Sequence, residues 1–372
     1  MNTRVYYGEY SLSHWIDLVL SKNIYVFLIG TLLMNFFTPC DMQVLYVIET
    51  SSDKHRGFWM TFTKAFGVMG VVLISAFRSW AIDTMGNWQY VFLIPACFGI
   101  GVGLICLLFV DESGVFIQNK ISYLKKEIKK ADYPDEVEDN EEKLKNKQGG
   151  IISAIKYMLL DQPLIWLFVV GLVFSIASVA TGNYGIIMQP APDIGMSDQM
   201  VTDALSIYPF AYALVELIIG IVSDKLGRIR SVLISGGVTL LGFLCFVVGN
   251  KMFWPPYLIG ALLGLFIGGY MTSIDLFNII CAEKSPTNLR GSILSILNIS
   301  FSAGSLIGTG LLVVCQYAIP NLDVGYFALI AIIPALFIAL LLLISKMPET
   351  NGMALTLKKK LTLKKKNNSK KK

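Results

Sequence analysis

The chain has 372 residues, of which 54% are hydrophobic and only 15% are charged, and its mean hydropathy is +0.61. Soluble domains carry roughly a quarter charged residues, so this composition excludes a soluble globular protein. The net charge of +5 is concentrated in a C-terminal run of lysines with no folded basic face beside it, which argues against nucleic acid as a partner.

The hydrophobic residues arrive in runs of about twenty or more, the length that a helix needs to cross roughly 30 Å of hydrocarbon. Residues 1–23 contain charged side chains and no such run, so we expect an extramembrane N-terminal segment there. The sequence predicts an all-α membrane protein with about nine transmembrane helices. The predicted spans are 24–48, 58–81, 87–110, 160–188, 203–222, 231–249, 254–282, 291–317 and 322–346.

Two polar segments interrupt or follow the spans. Residues 111–159 are a charged linker that ends in a short amphipathic helix from Ile151, and residues 347–372 are a basic tail. Most Lys and Arg residues fall on the side of the bilayer that contains this linker and this tail. Positive loops mark the cytoplasmic side, so we expect a plasma (inner) membrane protein with a cytoplasmic C-terminus.

A shift of 234 residues superposes two loop-bearing segments of the chain. An aspartate lies eight residues before a glutamate in both copies, and an arginine and a glycine follow that glutamate at equal distances. The two copies share their orientation, which indicates two parallel structural repeats in the chain. The superposed positions are Asp41, Glu49, Arg56, Gly57 and Gly70 on Asp275, Glu283, Arg290, Gly291 and Gly304.

The loops carry the motifs of a known family. The Glu49 to Arg56 and Glu283 to Arg290 spacings resemble the fourth-to-fifth and tenth-to-eleventh helix loops of the major facilitator superfamily (MFS). The segment Pro348–Gly352 is similar to the end of its sugar porters and their organic-ion relatives. The residues that resemble the family's signature loop are Gly220, Asp224, Lys225, Gly227, Arg228 and Arg230.

The resemblance implies an MFS-type helical bundle with an incomplete N-terminal half. Residues 24–110 would be the family's helices four to six, and residues 160–346 a complete C-terminal six-helix bundle. No predicted span of this sequence corresponds to the family's helices one to three. A longer natural chain, a truncated gene or a second chain that supplies them would each account for this.

Ionisable residues within spans are costly, so each is a candidate for function. Asp41, Lys64, Glu216 and Asp275 each lie eight residues from a loop charge, which places them at one depth, about 12 Å from the loops. Asp41 and Lys64 could pair across their hairpin. In the second copy Asn298 takes the place of the lysine, so Asp275 is predicted to lack a cation and to carry a proton or meet a cationic substrate.

Two alternatives stay open at this depth. If the family's helices five and eight pack together, as the resemblance implies, Lys64 would approach Glu216 instead. These groups could also be packing contacts without a substrate role. Tyr270 and Asn278 lie on the same helix as Asp275 and are further candidates for lining a solute pathway.

The loop charges are predicted to form a cytoplasmic gate that closes while the other side is open. Asp224 can accept hydrogen bonds from the start of a neighbouring helix, and Gly227 permits a tight reversal. The alternative is that these charges only set topology. The gate candidates are Glu49, Arg56, Asp224, Gly227, Arg228, Arg230, Glu283, Arg290 and Glu349.

We therefore expect a secondary active transporter that moves a small polar organic solute, a sugar or an organic ion, by alternating access, with a proton or another ion as coupling partner. A truncated or non-transporting relative, such as a sensor or a remnant, is the alternative. With only two histidines, no metal-ligand spacing and no phosphate-binding loop, we expect no enzyme activity and no cofactor.

Overall fold

The computed structural model describes residues 46–47, 50–51, 55–85, 90–109, 117, 121, 124, 151–188, 195–286, 289–319 and 324–350. Within these ranges all regular structure is helical. Eight of the nine predicted spans coincide with described helices, and the first, 24–48, lies almost wholly outside them. The division of the chain into domains stays a prediction.

The helices are numbered here in chain order. The first two are α1 (Arg56–Met85) and α2 (Tyr90–Phe109), and α3 (Ile151–Leu160) is the short helix expected at the end of the linker. Then follow α4 (Gln162–Phe174), a 3₁₀ turn (Ser175–Ala177), α5 (Ser178–Gly182), α6 (Tyr184–Met188), α7 (Asp198–Leu226), α8 (Arg228–Lys251), α9 (Pro256–Lys284), α10 (Arg290–Ala318) and α11 (Val324–Lys346).

Six stretches of the described helices are long and apolar enough to cross a membrane. One is Gln162–Gly182, which runs through α4, the 3₁₀ turn and α5, and the other five lie in α7 to α11. Large apolar side chains such as Leu108, Leu306 and Ile330 are exposed on the outside of the bundle. In a bilayer such side chains face lipid, so their exposure fits a membrane protein.

The span expected over residues 160–188 is not one continuous helix. The 3₁₀ turn at Ser175–Ala177 interrupts it, and a bend at Asn183 separates α5 from α6. The Asn183 side chain donates a hydrogen bond to the carbonyl of Val179, which closes the last turn of α5. A mid-helix 3₁₀ stretch often marks a hinge, and apolar periodicity alone could not reveal it.

Glycines at four-residue spacing bring α9 against α7. A Cβ added at Gly260 or Gly264 would collide with the α7 backbone, and one at Gly268 would lie 3.0 Å from the Cα of Tyr212. Close packing through small residues is how helices associate when lipid removes the hydrophobic driving force. This contact fixes the position of α9 relative to α7 and, through α7, to α1, which also packs along α7.

Candidate functional site

Five charged residues meet where α1 and α8 begin and α7 and α9 end; we call this group the charged end. The Arg56 Nη1 atom lies 2.8 Å from Glu283 Oε1, and the Arg228 Nη2 atom lies 3.3 Å from the same oxygen. Both arginine side chains are fully buried. One carboxylate thus holds two buried guanidinium groups, and one of them belongs to α1. The members are Arg56, Asp224, Arg228, Glu283 and Glu349.

Asp224 links the end of α7 to the start of α1. Its two carboxylate oxygens accept the backbone N–H groups of Gly57 and Phe58, each at 2.9 Å. It also accepts a hydrogen bond from Arg228 Nη1 at 2.8 Å. The N–H groups of a first helical turn have no partner inside the helix, and a carboxylate there also meets the favourable end of the helix dipole. The predicted capping role of Asp224 is confirmed.

Glu349 caps α8 in the same way. Its oxygens accept the backbone N–H groups of Arg228 at 2.7 Å and of Ile229 at 3.2 Å. The chain reverses before α8 at Gly227, whose φ is +103° and whose added Cβ would lie 2.5 Å from Glu349 Oε2. Only glycine adopts this conformation without strain and leaves room for the carboxylate. Gly227 therefore has the role predicted for it.

The other gate candidates have different surroundings. Arg290 is buried and its Nε donates to the carbonyl oxygen of Ala282 at 3.1 Å. Arg230 is exposed and makes no ion pair with the described residues. Glu49 lies outside the described residues, as does Asp41.

A second group of charges lies eight residues further into α1, α7 and α9. The Lys64 Nζ atom is 3.6 Å from Asp275 Oδ1, so α1 and α9 are joined by an ion pair within the span. Asp275 was predicted to lack a cation, and this was wrong. The lysine comes from the other half of the chain because α1 packs across α7 and thereby reaches α9.

Glu216 of α7 completes this group, which we call the midspan triad: Lys64, Glu216 and Asp275. Glu216 is completely buried, and neither carboxylate oxygen has a hydrogen-bond partner of good geometry among the described residues. The groups close enough to interact with it are Asp275, Lys64 and the hydroxyls of Thr272 and Tyr212. Lys64 forms its ion pair with Asp275, and Glu216 is a second acid near it. The approach of Lys64 to Glu216 was the alternative that the family resemblance implied.

The remaining predicted solute contacts do not join the triad. The Tyr270 ring is buried and stacks on Phe174 at 5.4 Å between centroids, beside the 3₁₀ turn. Asn278 is buried with its Oδ1 atom unpartnered among the described groups. Asn298 lies on α10 and its side chain donates to the carbonyl of Leu294 at 3.0 Å.

Sequence reasoning missed two polar contacts between helices. Ser235 of α8 and Ser273 of α9 share a hydrogen bond of 2.7 Å. Thr61 of α1 packs on Gly220 of α7, where an added Cβ would collide with the Thr61 hydroxyl. Buried hydroxyls and small residues on helix faces are the available signal, but they do not reveal which helix lies opposite.

Comparison with known proteins identifies the family of this chain. A sequence model of the Major Facilitator Superfamily matches residues 11–309 and 172–367. The chain belongs to the major facilitator superfamily. No curated protein sequence matches it significantly.

Solved structures of MFS proteins share the fold of this chain. The MFS proton:xylose symporter XylE bound to 6-bromo-6-deoxy-D-glucose has a TM-score of 0.63 at 16% identity, over 95% of this chain and 80% of that chain. A double-tryptophan variant of XylE has a TM-score of 0.65 at 16% identity, over 94% and 80%. The Fucose:proton symporter FucP of E. coli has a TM-score of 0.59 at 11% identity, over 93% and 83%.

Membership of the MFS makes this chain an integral membrane protein and a transporter rather than an enzyme. The resemblance implied that α1 and α7 are the family's helices five and eight, which pack together, and α1 does pack on α7. The charged end and the midspan triad both lie along this contact. Each of the three helices α1, α7 and α9 contributes one residue to each group.

Proposed function

We propose that this MFS protein is a secondary active transporter that moves a small polar solute, a sugar before an organic ion, by alternating access. The observation that carries the proposal is the midspan triad, in which α1 from one half of the chain and α7 and α9 from the other meet through charges within the span. Charges at that depth are costly, and where a membrane protein keeps them they commonly mark a solute or ion pathway. The structural neighbours support a sugar, since two of them are described as proton symporters of xylose and of fucose.

The charged end is the gate in this proposal. The Arg56–Glu283 ion pair and the capping of α1 by Asp224 both join α1 to the C-terminal helices. Separation of α1 from α7 and α9 would break the ion pair and both capping hydrogen bonds, so they favour the state in which this end is closed. Exposed basic residues such as Lys225 and Arg230 lie at this end, which supports a cytoplasmic location in the plasma membrane under the positive-inside rule.

Counterflow in proteoliposomes tests the proposal. Vesicles preloaded with unlabelled D-xylose, L-fucose, D-glucose or an organic cation are diluted into a trace of the same labelled compound. We expect transient accumulation of at least one sugar, because exchange needs only alternating access and no ion gradient. Folded protein that exchanges none of these probes would refute the proposed transport of sugars or organic cations and favour a non-transporting sensor or remnant. Lipid vesicles without protein are the control.

A further inference from the structure

The midspan triad contains two carboxylates and one ammonium group, and the two carboxylates are not equivalent. Asp275 has the lysine at 3.6 Å. Glu216 is completely buried, and its oxygens have no hydrogen-bond partner of good geometry among the described residues. An ionised carboxylate in that position would be a buried charge with only the lysine that Asp275 already pairs with, whereas a neutral carboxylic acid costs much less.

The Thr272 hydroxyl beside Glu216 favours the acid form on geometric grounds. Thr272 already donates its hydroxyl proton to the carbonyl of Gly268 at 2.6 Å. Its oxygen can therefore accept a hydrogen bond but cannot donate one to an ionised carboxylate without breaking that contact. A protonated Glu216 has the O–H donor that such an acceptor needs. The hydroxyl of Tyr212, one turn earlier on α7, is the other neighbouring polar group.

We propose that Glu216 is the proton-carrying carboxylate of this transporter and that the Lys64–Asp275 pair is its counter-charge. This inference rests on the proposed function, and it replaces the assignment of the proton to Asp275. The groups that face Glu216 are Lys64 from α1, Asp275 and Thr272 from α9, and Tyr212 from its own helix.

The proton step balances within the triad. With Glu216 protonated, the triad has no net charge, since the ammonium of Lys64 offsets the carboxylate of Asp275. When the O–H bond of Glu216 breaks, the proton leaves to water, and the two carboxylates share the single ammonium with a net charge of −1. The Lys64 side chain is 28% exposed, so the triad is not sealed by the described residues on the side of α1.

Loss of the proton strengthens the attraction between α1 and the C-terminal helices. Two ionised carboxylates, on α7 and α9, then face the ammonium on α1, whereas only one carboxylate was ionised before. A protonated Glu216 thus lets α1 separate from α7 more easily, and an ionised Glu216 holds the two helices together. Protonation and the opening of the α1–α7 contact are thereby linked, which is what proton coupling requires.

Transport by the Glu216→Gln variant tests the inference, since glutamine imitates the neutral acid. We expect this variant to retain counterflow of the solute that the wild type exchanges. With an inward proton gradient of one pH unit and one proton per solute, the wild type can accumulate the solute up to about tenfold. In Glu216→Gln the accumulation ratio should fall to about one. The matched control is Asp203→Asn, which removes a carboxylate near the start of the same helix and should keep the wild-type accumulation. Gradient-driven accumulation by Glu216→Gln would overturn the inference.

An infrared measurement on the solute-free protein separates this inference from the proposed function. The pH-difference spectrum should contain a carboxylic-acid C=O band that is present in wild type and in Asp203→Asn and is lost in Glu216→Gln. If Glu216→Gln does not fold, Thr272→Val should shift the band by removing the acceptor. A band that persists in Glu216→Gln, or that Thr272→Val does not move, contradicts the assignment. If the wild type shows no counterflow, the proposed transport of sugars or organic cations is refuted. The infrared spectrum would still show whether Glu216 carries the proton.

Discussion

Removal of the charge on Glu283 should open the charged end. The Glu283→Gln variant takes away the carboxylate that lies 2.8 Å from Arg56 Nη1 and 3.3 Å from Arg228 Nη2. Arg228 keeps Asp224 at 2.8 Å, whereas Arg56 would lose the carboxylate that ties α1 to α9. The cost therefore falls mainly on the contact that must break when α1 moves away.

The magnitude follows from burial. Removing one partner of a buried ion pair costs about 3–5 kcal/mol, and the glutamine oxygen recovers about 1 kcal/mol as a neutral hydrogen-bond acceptor. We use the lower end of the difference, about 2 kcal/mol in favour of the open state, because Arg56 keeps some polar contact. That free energy corresponds to a roughly 30-fold increase in the ratio of open to closed molecules.

Thiol labelling at the α1–α7 contact measures this ratio. Thr61 is fully buried against Gly220, so Thr61→Cys in a protein whose six native cysteines are replaced provides a reporter that reacts only when the contact opens. We expect Glu283→Gln to accelerate maleimide labelling roughly 30-fold. Lys284→Gln, which removes the neighbouring charge, should leave the rate unchanged. An unchanged rate in a folded Glu283→Gln protein would refute the gate.

Two glycine substitutions test the packing around the charged end. Gly227→Ala forces a non-glycine residue to φ +103° and brings a Cβ to 2.5 Å from Glu349 Oε2, so we expect a loss of about 2 kcal/mol and a lower midpoint of thermal unfolding in detergent. Gly220→Ala should also lower the midpoint because its Cβ collides with Thr61. Adding Thr61→Ala should restore part of that loss, and a double variant no more stable than Gly220→Ala would contradict the contact.

The depth of the charges could be predicted from sequence because depth is a property of one helix. A count of eight residues at about 1.5 Å each places Lys64, Glu216 and Asp275 at the same level, whatever surrounds them. The cap at Asp224 was predictable for a related reason, since the motif places an acid at the end of one helix and a glycine turn after it. The depth needs only the geometry of one helix, whereas the cap was predicted for a neighbouring helix without saying that this helix is α1.

The partner of Lys64 could not be predicted in this way. Residue counting gives height along a helix but not the direction in which a side chain points or the helix that lies opposite. The family resemblance indicated that α1 meets α7, which suggested Glu216, yet the ammonium of Lys64 lies beside Asp275 of α9. The decisive contact is between α7 and α9, where glycines let the backbones approach and bring Asp275 within reach of α1.

The same three helices carry both groups of charges, and this connects the gate to the proton site. On α1 the two basic residues are Arg56 at the charged end and Lys64 at midspan, eight residues apart. Each of α7 and α9 has one acid at the charged end and another eight residues away at midspan. A helix moves nearly as a rigid rod over two turns, so a displacement of α1 that breaks one group must strain the other. Protonation at midspan then changes the free energy of opening at the charged end about 12 Å away, without any further relay between them.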